Sequence, residues 1–329
     1  MAMSADGPSC AACDGRVGDP DGLLRFVRDA AIGAEAAHYE QEYDGAAVDA
    51  PTDLESLGQL YTANPYAPFN RTVLDGLGDI KGEDVVLLGN GVGAKELYLL
   101  TRGPRTLVYS DLSANAVREM RDRFAGVLDG HPVFFAVIDA MDLPFADESV
   151  DAVYGYAFVH HLGDMRGFLG EIARVLRPGG RAVFMDNAYS PLWQTAKRRW
   201  LNPVMRLAHR HNPISDEDRR FTLGGGFRRE EVGRHVDAVG CQLWWEPSGM
   251  LHYLATRADQ VLGRGRPWLG ARRWIPTGTG AYRLEIRNAG LLRALDRADA
   301  ALARRLAVVR DNRLRLVWGL RKPPRGDGA

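Results

Sequence analysis

The residues best suited to binding chemistry form the loop Gly89-Asn90-Gly91-Val92-Gly93, which lies between an apolar run and a helical pattern. Small residues let a backbone turn sharply and approach a ligand, and free amide groups at the start of a helix favour polar or anionic ligand atoms. About twenty residues further on, Asp111 ends the next apolar run, where a carboxylate can accept hydrogen bonds from both hydroxyls of a ribose. The spacing predicts a site for a nucleoside-containing ligand.

The glycine loop alone does not identify this ligand. Gly89, Gly91 and Ala94 also satisfy the GxGxxA spacing of a dinucleotide-binding loop. Asp111 has a second interpretation as the cap of the following helix. At this point NAD and S-adenosylmethionine remain equally possible ligands, since both contain a ribose.

The elements that position this loop alternate between two patterns. Short apolar runs read DVVLLG, TLVYSD, PVFFAVID, VDAVYGYAF and GRAVFMDN, and helical patterns separate them. That alternation predicts βαβ units and a parallel sheet. Further helices are predicted at 94–101, 114–128, 168–176, 228–239, 250–262 and 290–309, and further strands at 242–246 and 314–320. In the 290–309 helix, a stripe of Leu291, Leu295, Leu302, Leu306 and Val309 is predicted on one face.

Two downstream segments distinguish between the ligands. Residues 139–162 and 171–187 resemble the post-glycine motifs of class I S-adenosylmethionine-dependent methyltransferases, and especially the ubiquinone and menaquinone biosynthesis subgroup. The whole resemblance runs from Asp84 to Asn187. It implies a Rossmann-like, doubly wound α/β sheet of seven strands whose last strand is antiparallel. It also implies transfer of a methyl group from S-adenosylmethionine to an oxygen, nitrogen or carbon of a small biosynthetic metabolite.

The resemblance implies a set of cofactor-binding residues. In the family, the glycine loop approaches the methionine part, the acid at 111 binds the ribose, Leu112 packs on the adenine and the acid at 139 accepts a hydrogen bond from the adenine amino group. Residues 155 and 156 lie beside the transferring methyl. The residues are Gly89, Asn90, Gly91, Gly93, Asp111, Leu112, Asp139, Ala140, Met141, Gly155 and Tyr156.

One position departs from the family pattern. Leu87 stands two residues before the first glycine, where the family usually has an acid that helps organise the loop and the amino group of the cofactor. Two alternatives therefore stay open. In the first alternative, the chain uses the bound cofactor for non-methylating chemistry, such as cyclisation or rearrangement. In the second, it is a non-catalytic scaffold.

Candidates for proton transfer are few. Methyl transfer depends mainly on positioning, and a general base helps only where the acceptor must lose a proton. His160 and His161 are the candidate bases, because an imidazole titrates near neutral pH. The alternative for this histidine pair is a structural role in its loop. Tyr156 and Tyr189 are candidates for contact with the acceptor. The alternative role for both is ordinary aromatic packing.

The domain organisation predicted from these patterns has four parts. Residues 1–22 form a disordered tail, 23–80 a helical cover, and 81–189 the cofactor-binding core. Residues 190–329 contribute the last strands and a helical insertion that caps the acceptor pocket or forms a homodimer surface.

Charge and composition limit the partners. The net charge is zero, but residues 1–186 hold 15 basic and 29 acidic side chains, and residues 187–329 hold 27 and 13. A basic C-terminal part suits an acidic, sugar-linked or lipid-like acceptor or peripheral contact with an anionic membrane, or it attracts the acidic part across an interface. No signature of a nucleic-acid-binding module is present. No apolar run is long enough to span a membrane and no signal peptide is recognised, so a cytoplasmic location is expected.

Metal binding is not predicted. Cys10 and Cys13 form a CxxC, and His209 lies two residues before His211, but neither pair has further ligands at zinc-site spacing.

Overall fold

The fold was analysed in a computed structural model. It describes residues 2–4, 7–9, 23–27, 53–62, 69–196, 199, 226–251, 254–255, 272–274, 282–284 and 288–325. The pairs Cys10/Cys13 and His209/His211 and most of the helix predicted at 250–262 lie outside these ranges.

A mixed sheet of eight strands organises the chain. Its spatial order is β3-β6-β5-β4-β7-β8-β12-β9, in which β12 alone runs in the direction opposite to the other strands. Every residue of β4 is buried, as expected for a parallel strand covered on both faces. The strands are β1 (Ala2–Ser4), β2 (Gly7–Ser9), β3 (Leu24–Arg25), β4 (Asp84–Leu88), β5 (Thr106–Asp111), β6 (Val133–Val137), β7 (Val150–Tyr156), β8 (Leu176–Asn187), β9 (Gln242–Ser248), β10 (Arg272–Trp274), β11 (Tyr282–Leu284) and β12 (Arg315–Arg321).

Helices cover both faces of this sheet. One core joins Val85 and Leu87 of β4 to the helices on one face, and a second core joins Val86 and Leu88 to those on the other. The helices are α1 (Leu54–Thr62), α2 (Phe69–Leu77), α3 (Ala114–Leu128), α4 (Met165–Val175), α5 (Pro191–Ala196), α6 (Arg229–Ala238), α7 (Ala289–Arg305) and α8 (Ala307–Arg310), with 3₁₀ helices at Ala94–Arg102 and Val159–His161. The helices α1 to α3 belong to the first face, whereas α4 and α6 belong to the second. The predicted doubly wound α/β fold is confirmed.

The strand count differs slightly from the prediction. The seven predicted strands are present with β12 antiparallel, and β3 adds an eighth beside β6. Two residues are too few to show an alternation of apolar and polar positions, so β3 could not be predicted from its residues. The antiparallel pair β1 and β2 likewise lies inside the predicted disordered tail. Three backbone-paired positions form it, and its residues show no apolar periodicity from which it could be predicted.

The insertion predicted within the C-terminal part lies between β9 and β12. It contains α7 and α8, but it also contains the antiparallel pair β10 and β11, so it is not wholly helical. No helix in the part of the chain that the structure describes has the length and apolar character needed to cross a membrane.

The predicted leucine stripe of the last helix is only partly right, since Val309 is buried and Leu295 and Leu302 are half-buried, but two of its members do not face the core. Leu291 and Leu306 are exposed, whereas the buried residues of α7 are Leu292, Asp299 and Ala303. The Asp299 carboxylate accepts the backbone N–H groups of Met250 and Leu251 at 2.9 and 2.8 Å. A buried carboxylate that ties this helix to the end of β9 breaks the apolar pattern from which the stripe was inferred.

Position 319 of β12 requires glycine, because the backbone of β8 passes close to it. This close approach leads to a prediction about stability. A Cβ at this position would lie 1.9 Å from the carbonyl oxygen of Ala182 on β8. We expect Gly319→Ala to lower the free energy of unfolding by about 3 kcal/mol, because the overpacked contact is with backbone. Urea denaturation measures this change.

A matched control is Gly126→Ala in α3, where a Cβ meets no atom within 4 Å. This substitution should raise stability by about 0.5–1 kcal/mol through helix propensity. Equal effects of the two substitutions would contradict the β12–β8 geometry.

Candidate active site

A cavity of about 220 Å³ opens at the carboxyl ends of β4, β5 and β7. This is where strand order reverses in a doubly wound sheet, since β5 and β7 flank β4 on opposite sides. The cavity is lined by Leu88, Gly89, Asn90, Gly91, Asp111, Leu112, Ile138, Asp139, Ala140, Tyr156, Ala157, Phe158, His161 and Leu162. Most of the residues predicted from sequence to bind the cofactor are therefore brought together in one place.

The glycine loop after β4 is held in shape from below. Gly89 and Gly91 have φ values of +61° and +52°, which side chains rarely permit. The buried Tyr109 of β5 donates its hydroxyl towards the carbonyl oxygens of Gly91 at 3.0 Å and Gly93 at 3.1 Å. Both the backbone conformation and this tyrosine fix the loop that borders the cavity.

Asp111 connects that loop to the next helix. Its Oδ2 accepts the N–H of Gly91 at 2.7 Å, and its Oδ1 accepts the N–H of Ser113 at 2.9 Å. Ser113 rather than Asp111 caps α3, since its Oγ accepts the N–H of Ala116. The capping alternative for Asp111 is therefore not what the geometry shows. The same carboxylate lines the cavity, where a ligand hydroxyl can approach it.

Two further polar side chains line the cavity. The Oδ1 atom of Asp139 accepts the N–H of Met141 at 2.8 Å, which fixes the turn after β6. The Asn90 amide nitrogen donates weakly to the carbonyl of Ser110 at 3.4 Å, while its buried Oδ1 has no hydrogen-bond partner within the described ranges. A buried acceptor without a donor is costly, so this atom indicates a place for a ligand or water donor.

Phe158 explains the glycine at two positions. Cβ atoms at Gly89 and Gly155 would lie 2.3 and 2.2 Å from the Phe158 ring, which itself lines the cavity. The ring packs edge-on against Phe168 and Phe184. Gly155 is therefore small because Phe158 lies over it, and it does not line the cavity itself.

Three other predicted residues also lie outside the cavity lining. Gly93 lies at the far end of the loop and precedes the 94–102 helix, and the Met141 side chain reaches towards Gly167 of α4. His160 faces Asp186 instead. The signal for these positions was spacing along the chain, which does not report the direction of a side chain.

The two histidines divide into different environments. The Nδ1 atom of His160 lies 2.6 Å from Oδ1 of Asp186, which is fully buried at the end of β8. Burial raises the pKa of Asp186, and the contact with His160 opposes that rise. His161 lies against His160 with ring centroids 4.1 Å apart, and it lines the cavity. Burial, followed by the nearby His160, lowers the pKa of His161 to about 4.

Tyr156 lies at the cavity wall beneath a cation. The Lys95 ammonium is 3.5 Å from its ring centroid, and the Lys95 Nζ also lies 2.6 Å from Oε1 of Glu96. Lys95, Glu96, Phe158 and Asp186 were not identified from sequence. Lys95 and Glu96 directly follow the glycine loop, whereas Phe158 and Asp186 lie within the segments 139–162 and 171–187, where the resemblance assigned them no role.

A second cavity, of about 400 Å³, adjoins the first through Leu162, which lines both. Its wall includes Arg166, Tyr189, Phe227, Glu231 and His235. The Arg228 guanidinium lies 3.6 Å above the Tyr189 ring. Within the described ranges no group of three or more His, Cys, Asp or Glu side chains is placed to hold a metal ion.

Comparison with known proteins identifies the segment that builds this site. Residues 86–184 match the family described as "Methyltransferase domain". This match supports a methyltransferase domain over residues 86–184, in agreement with the class I resemblance. S-adenosylmethionine is the cofactor of this class, and the predicted resemblance is confirmed for the segment that carries the glycine loop, Asp111, Asp139 and both histidines.

Individual relatives match over a similar stretch. The methyltransferase GfsG of Streptomyces halstedii is 35% identical over 105 residues, which is 32% of this chain and 38% of the relative. The ubiquinone/menaquinone biosynthesis C-methyltransferase UbiE of Desulfotalea psychrophila is 36% identical over 132 residues, 40% of this chain and 52% of the relative. The matched segment thus spans about two fifths to one half of these relatives.

Solved structures extend the likeness of fold. Geranyl diphosphate C-methyltransferase from Streptomyces coelicolor A3(2) aligns with a TM-score of 0.52 and 16% identity over 88% of this chain and 98% of its own. The structure of a complex between the Haloferax volcanii Trm112 methyltransferase activator and a methyltransferase aligns with a TM-score of 0.51 and 19% identity. This alignment covers 91% of this chain and 100% of the matched chain. At such identities the alignments support the fold alone.

The low pKa of His161 generates a prediction about acid stability. Folding lowers its pKa from about 6.5 to about 4, so the unfolded chain binds more protons at this residue between those values. Its contribution to stability is complete above pH 6.5 and is lost as the pH falls towards 4. We expect the melting temperature of the His161→Gln variant to fall less between pH 7 and pH 5 than the melting temperature of the wild type does. Parallel loss in both proteins would contradict a buried neutral His161.

Proposed function

We propose that the chain transfers the methyl group of S-adenosylmethionine to a hydroxyl group of a small biosynthetic metabolite. The observation that carries this proposal is the position of the Asp111 carboxylate, which is tied to the glycine loop of a methyltransferase domain and lines the cavity beside it.

The residues present fit this cofactor. Asp111 offers acceptors for ribose hydroxyls, Asp139 lines the wall where an adenine amino group needs an acceptor, and Leu112 with Ile138 offers apolar surface for a flat base. The orphaned Oδ1 of Asn90 adds a buried acceptor. The cavity is somewhat smaller than the 300–1,000 Å³ common for small-molecule pockets, so a longer ligand extends beyond it.

When bound, S-adenosylmethionine supplies a methyl group that its positive sulfonium already activates. The chain's own residues orient the reactants, because positioning is the main contribution to such a displacement. Asp111 holds the nucleoside end, the glycine loop borders the methionine part, and Phe158 and Tyr156 add aromatic surface to the cavity wall.

His160 is the proposed general base, and Asp186 is the residue that positions it. With Asp186 ionised, the Nδ1–H of His160 donates to its carboxylate, and Nε2 is left with a lone pair for a hydroxyl proton. His161, which has a lowered pKa, stays neutral at physiological pH and packs against the base. A base held in this way favours a hydroxyl acceptor over one that has no proton to lose.

The second cavity is the proposed acceptor site. It adjoins the first at Leu162, and its wall mixes Tyr189 and Phe227 with Arg166 and Glu231. Such a lining suits a largely apolar molecule with a few polar groups. The basic excess of residues 187–329 favours an acidic group on that molecule.

Calorimetric titration tests the cofactor. We expect S-adenosylmethionine and S-adenosylhomocysteine to bind the full chain and NADH to give no heat. Asp111→Ala should weaken both interactions by about 10- to 100-fold, because the ribose loses a charged acceptor and the loop loses its link to β5.

Absence of binding by wild type would overturn the proposal in favour of a scaffold. Product formed from an acceptor without release of S-adenosylhomocysteine would instead support non-methylating use of the cofactor.

Steady-state kinetics with a hydroxyl acceptor, selected from a panel by release of S-adenosylhomocysteine, tests the base. His160→Ala should lower kcat by about 10²- to 10⁴-fold while calorimetric affinity for S-adenosylhomocysteine stays within about threefold. Asp186→Asn should lower kcat less than His160→Ala does and should move the acidic limb of the profile of kcat against pH, since Asp186 acts through His160. An unchanged kcat in His160→Ala would remove this residue from the mechanism.

A further inference from the structure

Leu87 and its two neighbours form a row across the sheet. In the parallel register Leu87 of β4 lies beside Tyr109 of β5 on one side and beside Tyr154 of β7 on the other. Side chains at paired positions of parallel strands point to the same face. All three are fully buried, so an apolar side chain lies between two tyrosines directly below the glycine loop.

The two tyrosine hydroxyls hold the groups above Leu87. Tyr109 bonds the carbonyls of Gly91 and Gly93, as described above. The Tyr154 hydroxyl donates to Oε1 of Glu96 at 3.2 Å, and Lys95 contacts the same oxygen. Glu96 belongs to the 94–102 helix that begins after the loop, and it is 1% exposed. A carboxylate absent from position 87 is thus present on the same face of the sheet, supplied by the next helix.

The second carboxylate oxygen of Glu96 lacks a donor. Its Oε2 has no hydrogen-bond partner among the residues that the structure describes. It lies 3.0 Å from the point that a Cβ on Gly93 would occupy, so room beside it depends on that glycine. An unpaired oxygen of a buried carboxylate is costly, and a cationic N–H donor is the group that relieves the cost best.

Lys95 places this carboxylate next to the cavity. Its ammonium bonds Oε1 and lies over the ring of Tyr156, which lines the cavity wall. The same ammonium gives the buried Glu96 carboxylate a cationic partner. Beyond the Tyr156 wall, Lys95 therefore lies nearest to the cavity, and the carboxylate of Glu96 lies directly behind its ammonium.

We infer that Glu96 receives the ammonium group at the amino-acid end of the cofactor, in place of the acid that this chain lacks at position 87. The inference rests on the proposed function. It assigns to Glu96 a binding role for a cationic amine and to Leu87 a purely apolar role in the core.

Calorimetry with two ligands tests this role without measuring activity. S-adenosylhomocysteine carries the ammonium group, and 5′-methylthioadenosine keeps the nucleoside but lacks the amino-acid end. Glu96→Gln should weaken binding of S-adenosylhomocysteine by about 10- to 100-fold, the effect of one hydrogen bond between charged groups. Its affinity for 5′-methylthioadenosine should stay within about threefold of wild type.

Two matched variants complete the experiment. Glu230→Gln makes the same change on the exposed face of α6 and should bind both ligands as wild type does. Glu96→Met, an apolar replacement of similar length, serves if the buried amide of Gln prevents folding, and it should show the same selective loss.

The outcomes separate the two proposals. Failure of wild type to bind either ligand would overturn the proposed function itself. Binding of S-adenosylhomocysteine by Glu96→Gln with wild-type affinity, or equal weakening of both ligands, would overturn the role of Glu96 and leave the cofactor proposal standing.

Discussion

The carboxylate of Asp111 is the contact on which the site depends most. It lies at the end of β5 and holds the N–H of Gly91 on one side and that of Ser113 on the other. The glycine loop and the start of α3 come from separate crossovers, and no regular secondary structure joins them directly. One buried anion therefore fixes the relative position of both chain segments that border the cavity. Backbone N–H groups to a carboxylate are strong bonds, and burial increases the cost of breaking them.

The sheet then separates two sets of supporting residues. On the face of α1 to α3, Tyr109 and Tyr154 carry hydroxyls up to the loop and to Glu96. On the face of α4 and α6, Phe158, Phe184 and Trp318 form an aromatic layer next to which Asp186 holds His160. Groups that position the cofactor in our proposal rest mainly on one core, and groups that position the base rest on the other. Packing changes on the two faces are therefore separable in their effects.

Much of the fold was predictable because its signals are local. Each strand of the parallel sheet is a short apolar run, and α3 has the bounds that its periodicity indicates. The cavity lining was largely predictable too, since the ends of adjacent parallel strands must meet. The pairing of His160 with Asp186 was not, because 26 residues separate them and only the β8 register brings the carboxylate under the histidine. The buried Asp299 of α7 shows the reverse error, where a polar residue belongs to the interior because backbone donors from a distant turn require it.

The substitution at Leu87 shows why a motif position and a chemical requirement are different things. A family pattern records where a carboxylate usually lies along the chain, whereas a ligand responds only to where the charge lies in space. Leu87 contributes its full side chain to the core, and its two register neighbours are tyrosines whose hydroxyls reach past it. The first residues of the following helix then lie within reach of those hydroxyls, and one of them is Glu96. A carboxylate on that helix borders the loop from the other end, so the sheet position is free to serve packing alone.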